Sequence, residues 1–191
     1  MNKEIEIDLY HATNLECFND ILENGIKIYD FKRPLVCSGR ANNKKKPGSL
    51  GYGFYCFSDK DFCENYAKSK IENNYKILYC KAKTSKKNIL DLTDEIQLGY
   101  YNKFLKKYVT TSAYKIMSKI IKNDGYQSSL DGALLEIYLD VLKKNKNIIH
   151  CIIAMTVSQI NNIKKSTVAN GIEYCIKEKG IINIKEENYE N

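Results

Sequence analysis

Residues 51–67 read GYGFYCFSDKDFCENYA: two glycines, an aromatic run and a helix-like segment that carries a further tyrosine. Gly53-Phe54-Tyr55-Cys56-Phe57 has the aromatic composition of a short strand. Ser58-Asp59-Lys60-Asp61 has the form of a capping box opening a helix through about Lys70. Glycine weakens a strand interior and marks places where something comes close to the backbone. The stretch is therefore either an ordinary sheet edge or a surface on which a ligand lies. A flat aromatic ligand stacked on Tyr55 would account for the missing Cβ atoms at Gly51 and Gly53.

Upstream, EIEIDLY over residues 4–10 alternates apolar and polar positions, the period of a half-buried strand, ending at Tyr10-His11. Thr13 is placed to cap a helix over about 14–24, with Leu15, Phe18, Ile21 and Leu22 as its apolar stripe and Asn24-Gly25 as its stop. His11 then stands at a strand-to-helix junction, an exposed setting that commonly carries function. Residues 31–50 are basic, hold both prolines and have no period, which describes a loop. Downstream, 75–82 and 88–92 read as strands of a meander packed beside the first. Residues 94–143 read as mainly helical: 94–122 has helical periodicity, broken near 109–111, and a further helix is expected at 131–143. Ile96, Tyr100, Tyr101, Phe104, Leu105, Tyr108, Tyr114, Met117 and Ile121 are its expected buried positions. Strands are expected again at 148–157, 171–177 and 180–184. Strands at both ends with helices between them describe an α+β domain, not an alternating wind. The GYG sequence also lacks the G-x-G-x-x-G spacing of a dinucleotide fingerprint.

The 191 residues, 43% of them hydrophobic, suffice for one domain with a real core. Without a run of about 18 apolar residues, and with the charged start MNKEIEIDLY, the chain is expected to be cytoplasmic and to have no membrane partner. Seven cysteines without a CxxC pair fit neither a disulfide framework nor a zinc site, so they read as reduced packing residues. With only His11 and His150 available, no metal is expected. The formal charge of +7 is clustered at Lys32, Arg33, Arg40 and Lys44–Lys46, and again at Lys143, Lys144 and Lys146. Such clusters attract phosphates, nucleic acid or acidic partners, or form a solvated face.

Three segments have comparable settings: Tyr10-His11-Ala12-Thr13 at the end of the first strand, Gly51-Tyr52-Gly53-Phe54-Tyr55 in the middle, and Asn170-Gly171-Ile172-Glu173-Tyr174 entering a late strand. Together they resemble the histidine, tyrosine and glutamate elements of ADP-ribosyltransferases of the diphtheria-toxin and poly(ADP-ribose) polymerase type. The resemblance implies a split β core of two packed antiparallel sheets with flanking helices, spanning residues 1–185 as one catalytic domain before a polar tail at 186–191. It implies NAD⁺ as co-substrate. His11 would bind the adenine-side ribose, and the Ala12 backbone the nicotinamide carboxamide. Thr13 would supply the family's hydroxyl, Gly53 the open backbone, and Tyr55 and Tyr66 the two faces around the nicotinamide ring. Glu173 would stabilise the oxocarbenium-like transition state.

Gly171, two residues before Glu173, breaks the E-x-E or Q-x-E pattern of arginine-directed transferases, and His11 stands where their first-strand arginine would be. The implied activity is mono-ADP-ribosylation of a protein or nucleic-acid acceptor, in the manner of a toxin or a phage–host conflict effector. Arg33 and Arg40 would be the residues nearest to hand for pyrophosphate. Other readings are an NAD⁺ glycohydrolase using the same site, a basic nucleic-acid-binding module, and a transferase fold kept only for interaction.

Overall fold

The computed structural model describes residues 3–29, 47–71, 74–122, 127–157 and 169–185. The basic residues 32–46 and the tail at 186–191 lie outside them, and with them the pyrophosphate expectation for Arg33 and Arg40.

The alternation at the start of the chain does build a strand, but β1 runs over Glu4–Asn14, well beyond Tyr10. Each of its residues is paired with β3 (Tyr75–Ser85), from Glu4 opposite Ser85 to Asn14 opposite Tyr75. This ladder corrects two expectations. His11 lies inside the strand opposite Leu78, not at a junction, and Thr13 is a buried strand residue, not a cap. The cap of α1 (Leu15–Asn24) is Asn14, whose side chain accepts from the Cys17 N–H at 2.8 Å. Gly25 ends the helix at φ 72°, as its position in Asn24-Gly25 suggested.

The aromatic run forms β2 (Phe54–Phe57), followed by α2 (Lys60–Lys70). Asp59, not Ser58, supplies that cap, accepting from Phe62 N–H at 2.6 Å. After β3 come β4 (Ile89–Asp91), α3 (Glu95–Tyr108), α4 (Ser112–Lys122), α5 (Gln127–Lys144), β5 (Cys151–Thr156), β6 (Gly171–Ile176) and β7 (Ile182–Lys185). The break between α3 and α4 is made by Thr111, whose hydroxyl donates to the Tyr108 carbonyl at 2.7 Å and accepts from Tyr114 N–H at 3.2 Å. One side chain thereby closes one helix and opens the next.

Seven strands join in the order β4-β5-β6-β2-β1-β3-β7. The chain is thus α+β with one mixed sheet. All pairs are antiparallel except β4 with β5, so β4 lies at the far edge and is not part of a meander beside β1. Between β2 and β1 the sheet is held by a single pair, Tyr10 with Phe57. Here the sheet folds over. In a flat sheet β3 and β5, four places apart, would be separated by roughly 19 Å. Yet Thr84 Oγ1 on β3 is 3.3 Å from Nδ1 of His150, the residue before β5. Leu9, Leu78, Cys80 and Ala82 from one half therefore share a core with Phe54, Cys56, Cys151 and Ile176 from the other.

The outer face of the β5-β6-β2 half carries the helices: Leu90, Ile152 and Cys175 pack with Tyr101, Leu135 and Tyr138. Met117 is buried against α5, as its period indicated. Ile96 and Tyr100 are not buried; they are 69% and 58% exposed, because α3 turns Tyr101, Phe104 and Leu105 inward. No described helix is long and apolar enough to cross a membrane.

Candidate active site

β2 lies between β1 and β6, so the three segments singled out in sequence come to neighbouring strands. Phe57 pairs with Glu173, Tyr55 with Cys175, and Tyr10 with Phe57. Residues directly opposite in an antiparallel pair share a face. Glu173, Tyr55 and Phe57 therefore project to one side of β2, and α2 brings Tyr66 onto Phe57 with ring centroids 5.1 Å apart. Ala12 packs into the cluster that holds Phe57, Phe62, Ile77 and Tyr66.

His11 does not share this face; it meets β2 from the other side, through the Tyr55 backbone. Its Nδ1 is 2.6 Å from the Tyr55 carbonyl oxygen, and its ring lies 4.1 Å from that of Phe54. A carbonyl only accepts, so Nδ1 carries a proton. Phe54 leaves β2 on the face opposite to Tyr55, into the core between the sheet halves. His11, against Phe54, and Glu173, opposite Phe57, therefore lie on opposite faces of the sheet, and the expected convergence of the histidine with the tyrosine and the glutamate is not what the strand register gives. Thr13, paired with Lys76, sits farther along β1.

Glu173 is the electrostatic centre of the group. Burial pushes its carboxyl above the usual range, and the Ser49 hydroxyl, donating to Oε2 at 3.0 Å, pulls the other way. Among the described residues, no cation pairs with it. Burial and the Glu173 carboxylate both raise the Tyr66 phenol. Burial likewise raises the Tyr55 phenol, whose hydroxyl donates to Gly51 O at 2.7 Å and accepts from Leu50 N–H at 2.9 Å. Burial pushes the thiols of Cys175 and Cys63 up to about 11 and about 12, which makes them packing groups rather than nucleophiles.

The glycines have an internal cause, which corrects the ligand-approach explanation. Gly51 has φ +87°, and a Cβ there would lie 2.2 Å from Glu136 Oε1; at Gly53 it would lie 2.4 Å from Cys175 Sγ. The space is taken by α5 and β6, so Gly53 opens toward the protein interior. Gly48 and Gly51 exchange backbone hydrogen bonds of 3.1 and 3.2 Å, making a closed turn that presents Ser49.

Sequence reasoning missed what holds this turn. Lys177, at the end of β6, donates to Leu50 O at 2.7 Å, Tyr52 O at 2.6 Å and Glu136 Oε1 at 2.8 Å, and Glu136 also accepts from Tyr52 N–H at 2.6 Å. Their side chains are only 9% and 11% exposed. Ser49 and Glu136 carried no motif; the Gly48-Ser49-Leu50-Gly51 spacing, read as part of a loop, was the one available signal of a tight turn. A groove of about 570 Å³ between α1 and β7 contains Ile21, Leu22, Ile182 and Lys179 but no residue of this group and no acid–base pair. Among the described residues there is no group of His, Cys, Asp and Glu able to hold a metal ion.

No protein-family model matches this chain, and no curated protein matches it in sequence.

Proposed function

We propose that the protein is an NAD⁺-dependent mono-ADP-ribosyltransferase, with Glu173 as its catalytic carboxylate and Tyr55 and Tyr66 bordering the nicotinamide. The observation that carries this reading is a half-buried carboxylate lacking a cationic partner among the described residues, set beside two tyrosines, with a histidine held against the other face of β2. A half-buried carboxylate with a raised pKa and no cationic partner is unfavourable for stability, and such groups cluster at functional sites.

In the proposed reaction the glycosidic bond between ribose and the nicotinamide nitrogen breaks, and its electron pair neutralises the pyridinium. The ribose carbon becomes cationic, and ionised Glu173 stabilises that charge more than it stabilises bound NAD⁺. A lone pair of the acceptor then forms the new bond to that carbon, and the acceptor's proton passes to solvent. In this reading His11, its ring orientation fixed by the Tyr55 carbonyl, binds the adenine-side ribose. The raised pKa of Glu173 predicts that turnover rises with pH as this carboxyl ionises.

The test is incubation of the purified protein and Glu173→Gln with labelled NAD⁺, with and without cell extract, following nicotinamide release and label transfer. Release and transfer that depend on Glu173 support the reading. Release without transfer in any extract would make water the acceptor and the protein an NAD⁺ glycohydrolase. Folded wild type that turns over no NAD⁺ under any of these conditions would sink both.

A further inference from the structure

Ser49 and Glu173 are 124 residues apart, and their contact crosses from the turn before β2 to the first half of β6. A serine in a tight turn ordinarily bonds its hydroxyl to nearby backbone. This one instead donates to a carboxylate on another strand. We propose that Ser49 is a positioning residue for Glu173: its hydroxyl selects the carboxylate's orientation, and the turn that carries it is braced so that the orientation is kept. The catalytic part of this inference rests on the transferase reading; the positional part does not.

The bracing is specific to the turn. Its two ends are tied by the Gly48–Gly51 hydrogen bonds, and the Tyr55 hydroxyl clasps Leu50 N–H and Gly51 O. On the far side, α5 presses on it at Gly132, where an added Cβ would lie 1.9 Å from the Gly48 carbonyl oxygen. Lys177 and Glu136 hold the backbone of Leu50 and Tyr52. Every residue beside Ser49 is therefore restrained by atoms outside its own segment.

The groups that face Glu173 are Ser49 from the turn, Tyr55 from β2, Tyr66 from α2 and Cys175 from its own strand. Of these, only Ser49 makes a hydrogen bond to the carboxylate, and an ionised carboxylate can only accept, so the Ser49 proton lies between them. Such a bond stabilises the charged form against the burial that disfavours it.

Ser49→Ala and Ser49→Thr test this, with Glu173 read directly by carbon NMR of carboxyl-labelled glutamate and Glu173→Gln used to assign its signal. In Ser49→Ala the Glu173 titration midpoint moves upward, the acidic limb of the kcat profile moves with it, and kcat at neutral pH falls about 10-fold. Ser49→Thr, which keeps the hydroxyl, stays near wild type in both. An unchanged Glu173 midpoint in a folded Ser49→Ala protein overturns the inference whatever the turnover. A shifted midpoint in a protein that turns over no NAD⁺ supports the positional part while removing the transferase reading. Equal loss of activity in Ala and Thr variants, with no change in the titration, assigns Ser49 to the fold alone.

Discussion

Two carboxylates are drawn out of water along the same pair of strands, and they are treated differently. Glu136, beside the end where β2 begins, meets Lys177 at 2.8 Å and the Tyr52 N–H at 2.6 Å, and Lys177 spends its other protons on two backbone carbonyls. Glu173, at the Phe57 end, meets one serine hydroxyl and the neighbourhood of two tyrosines. Burial of a charge is tolerated when a partner and hydrogen bonds replace water. By that standard the first carboxylate is built for structure, while the second has no cationic partner among the described residues. The same turn touches both, through Tyr52 on one side and Ser49 on the other, so the structural pair holds the scaffold on which the proposed catalytic carboxylate rests.

The comparison is most severely tested by removing one member of the ion pair. Lys177→Met leaves Glu136 and two carbonyls without their donor, and a loss of about 3–5 kcal/mol in urea unfolding is expected. A loss near zero would mean that the pair does not brace the turn. Glu173→Gln should do the opposite to stability while lowering NAD⁺ turnover by about 10²–10³-fold. The sign follows from burial. The folded protein keeps the Glu173 proton to higher pH than the unfolded chain, so ionising this group disfavours folding as pH rises above the ordinary value of 4.5. The Gln variant should therefore melt with wild type at low pH and above it at neutral pH, with each kcal/mol of relief raising Tm by about 2–4 °C.

Gly132→Ala sharpens the link between the two ends. Its methyl group meets the Gly48 carbonyl, and a cost of about 1–3 kcal/mol is expected from the overpacking. Its kcat should fall further than that of a variant equally destabilised elsewhere, because Ser49 is displaced with the turn. Tyr66→Ala has the smallest expected effect, raising KM for NAD⁺ about 2- to 10-fold, in keeping with about 0.5–1.5 kcal/mol for one aromatic stacking contact. Unchanged KM would remove Tyr66 from the nicotinamide's surroundings.

Local patterns carried most of the element list, because alternation and helical period are written in consecutive residues. They failed where a distant partner decided the outcome. The helix cap expected at Thr13 gave way to Asn14 because β3 pairs with β1 to its last residue. β4 joins a different neighbour than the meander implies, because two apolar residues and an aspartate say nothing about which edge will take them. Ile96 and Tyr100 fitted the helical stripe but lie outside the part of α3 that meets the sheet. His11, Tyr55 and Glu173 could be picked out because each sits in a short recognisable segment, and they fall on adjacent strands, but the half-turn that strand alternation gives between neighbours puts His11 on the face opposite to Glu173. Ser49, Gly132, Glu136 and Lys177 could not, since their meaning lies only in contacts across long stretches of chain.

That span also bears on when the protein could act. A chain leaving the ribosome grows at about 5–20 residues per second. It has already delivered His11, Ser49, Tyr55 and Tyr66 long before residue 173 is joined. Until β6 emerges, β2 has no partner on one edge and the Ser49 hydroxyl has no carboxylate to meet. The last strand to enter the middle of the sheet is the one that brings the acid, so an unfinished chain lacks the group proposed to stabilise the breaking glycosidic bond.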